Sequence, residues 1–237
     1  MNMEKLSVPL AIIIAGGLIA VAFYYSNLKN GQVAANVKNA PQESTSDAVM
    51  RPITAEDHIL GNPDAELILV EYSDTECPFC KQFHTTLRRM MDEYGKDGKV
   101  AWVYRHFPID QLHSKARKEA EATECANELG GPTKFWEYLN TIYVRTNSND
   151  SLPTTELPKI AKDVGLDVKA FETCLASGKY AAKVEADYQD AVSAAKGQSQ
   201  VGTPNSIIVS KDGTRTVIQG AQPYENVKRV IDALLYK

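Results

Sequence analysis

The sequence predicts an α/β fold: a strand–helix–strand unit, an all-helical insert, and a closing strand–strand–helix unit. An apolar N-terminal helix precedes them. Three observations carry this. Residues 6–25 hold no charge, strand patterns recur only at 67–72, 100–107 and 205–219, and helical spacing fills almost everything from 112 to 197. The 237 residues are 43% hydrophobic and 24% charged, which suits one sizeable core and excludes a disordered or collagen-like chain. Residues 1–52 hold 4 Lys and Arg and 3 Asp and Glu, so the remainder carries 22 and 27, a net of −5. That mild acidity argues against a general nucleic-acid binder. Four cysteines are too few for a disulfide-stapled miniature fold.

Residues 6–25 (LSVPLAIIIAGGLIAVAFYY) match the roughly 20 apolar residues that a helix needs to cross a bilayer. Tyr24 and Tyr25 stand where an interfacial aromatic belt would lie. Two readings lead, a transmembrane anchor over 1–25 or a signal peptide cut after Ala22 or Ala35, ahead of a buried helix of a soluble protein. Both export the body; with an anchor, the C-terminal body lies outside. Residues 26–52 lack periodicity and read as a flexible linker, roughly 30 Å end to end as a random coil. The body is 53–237, with the helical insertion at about 110–197.

In the body, 67–72 (LILVEY) is a short apolar run, as expected of a strand buried on both faces. Cys80, Phe83, Leu87, Met90, Met91 and Tyr94 recur at helical spacing and predict a helix that Gly95 ends. Residues 100–107 (VAWVYRHF) form the second strand, parallel to the first, because a helix connects them. Helices are predicted over 113–129, 133–145, 155–164, 168–177 and 180–196, with Phe135 and Trp136 in the core of the insert. Residues 205–210 and 214–219 flank the turn Lys211-Asp212-Gly213 as an antiparallel hairpin. Pro223 opens the last helix.

The chemistry sits in Cys77-Pro78-Phe79-Cys80, where the first strand hands over to the first helix. With Cys77 as N-cap, Pro78 occupies the first helical position, where its missing N–H costs nothing. The unpaired N–H groups and the positive end of the helix dipole then favour a Cys77 thiolate. First cysteines of such pairs ionise at roughly 3.5–7.5 instead of ~8.5. Cys80 lies one turn on, on the buried face. A zinc site would need a second close Cys or His pair, and Cys125 and Cys174 are 49 residues apart. Covalent haem would need His, not Lys81, after the second cysteine. A purely structural disulfide is the remaining alternative to a redox pair; no metal is expected. His58, His106 and His113 are scattered and read as structural or exposed. Cys125 and Cys174 both face into the insert. In an oxidising compartment they are expected to form a structural disulfide, the alternative being two buried thiols.

These residues, taken with others in order, resemble the DsbA family of thioredoxin-fold proteins, in its membrane-tethered or exported branch. The similarity runs through His58-Ile59-Leu60-Gly61-Asn62-Pro63-Asp64-Ala65, Glu71-Tyr72-Ser73-Asp74, Cys77-Pro78-Phe79-Cys80 and Arg105-His106-Phe107-Pro108. It continues through Ala126, Phe135-Trp136, Gly165-Leu166-Asp167, Phe171 and Val201-Gly202-Thr203-Pro204. It implies a thioredoxin-like fold with an inserted helical subdomain and a cofactor-free protein thiol–disulfide oxidoreductase. By that resemblance Thr203-Pro204 is a cis-proline loop opposite the pair, where Thr203 and Pro204, with Pro78 and Phe79, meet an extended client; the alternative is a simple turn into the next strand. Glu71 matches the family's acid and shares the face of Leu67 and Leu69, which would place it partly buried under the pair to exchange protons with Cys80, the alternative being an exposed charge at the strand end. Phe79 departs from the Pro-His of strong oxidants, and Asp74 and Glu76 add negative charge beside Cys77. The expected activity is oxidation of cysteine pairs in reduced or unfolded exported proteins, with re-oxidation by a quinone-linked membrane thiol oxidase. The rival expectations are a reductase or isomerase fed by a membrane electron donor, or a non-catalytic membrane-anchored module holding a metal or a partner.

Overall fold

The computed structural model describes residues 42–43, 50–198 and 201–236. The apolar segment 6–25, and most of the stretch read as a linker, lie outside the described residues. Among the described residues no helix is long and apolar enough to cross a membrane. The chain divides into units 1–40 and 41–237, and only the second is described.

The described strands are β1 (Gln42–Glu43), β2 (His58–Leu60), β3 (Leu67–Ser73), β4 (Val100–His106), β5 (Asn205–Ser210) and β6 (Arg215–Gln219). They form one sheet in the order β1-β6-β5-β3-β4-β2. Only β3 and β4 run parallel. The helix between them, α1 (Pro78–Met90), runs on into a wider turn over Met91–Gly95. The central strand β3 and its neighbour β4 are buried along nearly their whole length. Side-chain alternation divides the core. Leu67, Leu69, Trp102 and Tyr104 face α1 and α6 (Tyr224–Leu235), whereas Val70, Tyr72, Val103 and Phe107 face α5 (Ala181–Ala194).

Some expectations need correcting. The stretch read as a linker contributes β1, which pairs with β6, and Met50 is buried. Arg51 is bonded to Asp57, Asp187 and Asp190, so packing begins before residue 53. The short β2, which pairs antiparallel with β4, carried too few residues to show a period of two. The first insert helix, α2 (Ala116–Arg145), starts at Ala116 rather than 113. It covers both predicted helices but breaks at Gly131 (φ 73, ψ −171), just before Pro132. An L side chain disfavours that φ and Pro132 lacks an N–H, so the break falls where the two helices were separated. Beyond it, Phe135, Trp136, Leu139 and Tyr143 join the core that holds Trp102. Phe135 and Trp136 are therefore not in the core of the insert. Tyr138 and Ile142, on the other side of the helix, fill that place with α3 (Leu157–Asp163) and α4 (Val168–Ser177). Cys125 on α2 and Cys174 on α4 are bonded, with 5.9 Å between Cα atoms. A crosslink closing so long a loop contributes roughly 2–4 kcal/mol.

Candidate active site

Cys77 caps α1 in an extended conformation (φ −76, ψ 123), and Pro78 opens the helix. Both thiols are free. Cys80 is fully buried and Cys77 is 5% exposed, so Cys77 is the outer of the two. The Cys77 thiol is lowered to about 6. The largest cause is a hydrogen bond from the Cys80 thiol, which outweighs burial; the Thr203 side chain and the N–H groups of Cys80 and Phe79 add to it. These last are orphan donors of a helix start, turned onto sulfur. Burial and the charge of Cys77 push Cys80 well above the ordinary thiol range. Asp74 donates its backbone N–H to Cys80 Sγ at 3.4 Å.

The Thr203-Pro204 peptide is cis and faces the pair. Cys77 Sγ donates to the Thr203 carbonyl at 3.5 Å. β5 starts at Asn205, paired with Tyr72 of β3, and this register delivers Thr203 to the end of β3 where α1 begins. Phe79 is 61% exposed and Val201 59%, so the rim of the pair is apolar and open.

Glu71 lies beneath, fully buried. It accepts from Ser73 Oγ at 2.8 Å and Trp102 Nε1 at 3.0 Å. Burial raises its carboxyl to about 8, and the charge of Cys77 adds to the rise. A carboxyl raised in this way binds a proton in the folded protein that the unfolded chain releases above about 4.5. Its contribution to stability is therefore full below that pH and lost as pH rises towards about 8. Glu71→Gln is expected to make the decline in stability of the reduced protein between pH 5 and 8 shallower by roughly 3–5 kcal/mol, measured by urea unfolding at each pH.

Asp74 and Glu76 do not simply crowd Cys77. The Asp74 carboxylate accepts from the N–H groups of Glu76 and Ile109 and bonds the His113 ring at 2.9 Å. Glu76 turns away and accepts from Thr146 Oγ1 and the N–H groups of Ser151 and Leu152, fixing the loop after α2. Glu119 of α2 takes the Thr75 hydroxyl at 2.6 Å, and burial raises its carboxyl to about 8. Trp102, Glu119 and His113 had no signal for this site in the sequence pattern. The strand register, the connection after β4 and the course of α2 bring them here.

The other histidines are buried, and two of them meet. His58 and His106 both place Nε2 against Glu124 Oε1, at 2.7 and 3.0 Å. All three are buried, with donor atoms close enough to hold a metal ion. Lys183 Nζ stands 3.3 Å from the same carboxylate oxygen and supplies a cation from the chain itself. His84, one turn beyond Cys80, bonds the Asn140 side chain.

Residues 54–233 match a family model described as Thioredoxin. The fold aligns with the crystal structure of Pseudomonas aeruginosa DsbA2 at a TM-score of 0.63 and 26% identity, covering 78% of this chain and 97% of that one. It also aligns with oxidised BdbD from Bacillus subtilis at 0.66 and 22% identity, covering 81% and 100%. Among curated proteins, 155 residues are 34% identical to the Na(+)/H(+) antiporter NhaA 1 of Mycolicibacterium gilvum, which is 64% of this chain and 24% of that protein. A stretch of 154 residues is 34% identical to the antiporter NhaA of Herminiimonas arsenicoxydans, covering 63% and 23%. The chain spans about a quarter of the length of these curated relatives.

Proposed function

The chain belongs to the thioredoxin family and is a DsbA-like protein-disulfide oxidoreductase, and from that premise we propose that it oxidises cysteine pairs in exported proteins outside the cytoplasm. The observation that carries the exchange chemistry is the asymmetry of the pair: Cys77 lowered to about 6, Cys80 raised well above the ordinary range. A stabilised Cys77 thiolate favours the reduced pair and so supports the oxidising direction. A client thiolate attacks Cys77 of the Cys77–Cys80 disulfide, and Cys80 leaves as a thiolate. Being fully buried, Cys80 takes up a proton, and Glu71, a buried acid beneath the pair that is still protonated at neutral pH, is placed to give it. The client's second thiolate then attacks its own half of the mixed disulfide. Cys77 leaves as a stabilised thiolate, the client gains a disulfide, and the pair gains two electrons. Exposed Phe79 and Val201, with Thr203 behind them, suit an extended apolar client segment.

The charge-free run 6–25 supports a membrane anchor or export signal, with the body on the outer side. A membrane-bound, quinone-linked thiol oxidase is the matching electron acceptor. Sodium–proton exchange belongs to the names of the antiporters and is not carried over, since about three quarters of each lies outside the match. Equilibration with glutathione tests the direction. A potential near about −120 mV supports the oxidant, whereas one near about −270 mV means that the pair works as a reductant.

A further inference from the structure

Resting on that reading and deepening it, we propose that His113 is the positioning residue that supplies positive charge to the Cys77 thiolate, an imidazole clamped onto the Cys77 turn by Asp74. In this chain the dipeptide between the cysteines holds no titratable ring, only Pro78 and Phe79. His113 comes from the connection between β4 and α2, 36 residues further on. It is nearly buried, at 5% exposure.

One residue ties the ring to the redox turn. The Asp74 Oδ2 atom bonds His113 Nδ1 at 2.9 Å and the N–H of Ile109 at 2.8 Å, while the His113 N–H returns to the Ile109 carbonyl at 2.9 Å. Asp74 Oδ1 accepts from the N–H of Glu76, and the Asp74 carbonyl accepts from the N–H of Cys77 at 3.2 Å. The Asp74 N–H reaches Cys80 Sγ. The far side is closed by the loop after α2. Asn149 donates its N–H to the Glu76 carbonyl at 2.7 Å, and it favours the charged His113 ring. Asp150 holds Ser114 and Lys115, next in sequence to the ring.

The charged groups facing His113 are therefore Asp74 from the β3–α1 turn, Cys77 at the start of α1 and Asp150 from the loop. Glu76 and Glu119 stand behind Asp74. Burial opposes the charged ring, but Asp74, then Cys77 and Asn149, outweigh it, and His113 is raised. Attraction between the ring and the thiolate is reciprocal: each favours the charged form of the other. A purely structural clamp would hold the turn without sensing the charge on sulfur.

The test reads that reciprocity in the full-length protein. The His113 ring is titrated by NMR in the disulfide and dithiol forms, its resonance assigned with His113→Gln. The midpoint is expected higher in the dithiol form by about half a pH unit or more, because only that form holds a thiolate at Cys77. Equal midpoints overturn the proposal. In His113→Gln, with folding checked by thermal melting of the disulfide form, the Cys77 thiolate midpoint is expected to rise by about 0.5–1 unit, a roughly three- to tenfold loss of thiolate below the midpoint. An unchanged midpoint also overturns it. Neither measurement uses a client or a redox partner, so a failure of client oxidation leaves this coupling measurable, and a failure of the coupling leaves the oxidase reading standing.

Discussion

Cys77→Ser is expected to abolish client oxidation outright, leaving only the rate set by dissolved oxidants, while Cys80→Ser, which also cannot hold the redox disulfide, captures a client that is already in its disulfide form. Its Cys77 thiolate attacks, one client thiolate leaves, and no Cys80 is there to release Cys77 from the mixed disulfide. The difference follows from position. Cys77 is the sulfur at the helix start, 5% exposed and lowered to about 6, so it is the one attacked and the one that leaves. Cys80 is fully buried and raised well above the ordinary range, so it serves to release Cys77 from a stalled mixed disulfide. Oxidation of a reduced two-cysteine peptide reads Cys77→Ser, and the adduct formed between Cys80→Ser and the same peptide in its disulfide form reads the other variant, both by mass spectrometry. Full turnover by Cys77→Ser would mean that another group carries the exchange.

The largest expected loss of stability lies on the opposite face of the sheet. Arg105 of β4 is fully buried. Its guanidinium grips Asp57 with Nε at 2.9 Å and Nη2 at 3.0 Å, and reaches Asp190 at 2.8 Å and the Tyr72 hydroxyl at 3.2 Å. It also donates to the carbonyls of Arg51 and Pro52, so one side chain ties the start of the body to β3, β4 and α5. The network stands as a set. Removing one charge strands the others, which costs about 3–5 kcal/mol. Arg105→Leu leaves Asp57 and Asp190 buried with the partly exposed Arg51 to balance their charge, beside the neutral donors Thr54 N–H and the Tyr72 hydroxyl. Its melting temperature is expected to fall by roughly 10 °C, with a smaller fall for Arg105→Lys, which keeps the charge and loses the fork. Thermal melts of both variants check this. The Cys77 midpoint in Arg105→Leu should match that of the parent protein wherever the variant is folded, since the network lies across the sheet from the pair.

How much of this was legible depended on whether the signal was local. The turn from β3 into α1 was written in four consecutive residues, and strand alternation alone placed Glu71 on the face of Leu67 and Leu69. The long helical insert was equally plain, since helical spacing needs no partner to be seen. The fate of Phe135 and Trp136 was not. Gly131 bends α2 so that its second half leans on Trp102, and a kink changes which core a helical face meets without changing its period. Histidines 58, 106 and 113 looked scattered for a related reason. Two of them meet on Glu124 only through the pairing of β2 with β4 and the packing of α2, and the third reaches Asp74 through an irregular connection. Three-residue β2 lies below the length at which alternation can be read.

The most direct measurement is the ionisation of Cys77 in the reduced protein, followed by thiolate absorbance against pH and by the rate of alkylation. A midpoint at about 6, absent in Cys77→Ser, is expected from the helix start, the Cys80 thiol and Thr203 acting together. A midpoint near about 8.5, that of an unperturbed thiol, would contradict it.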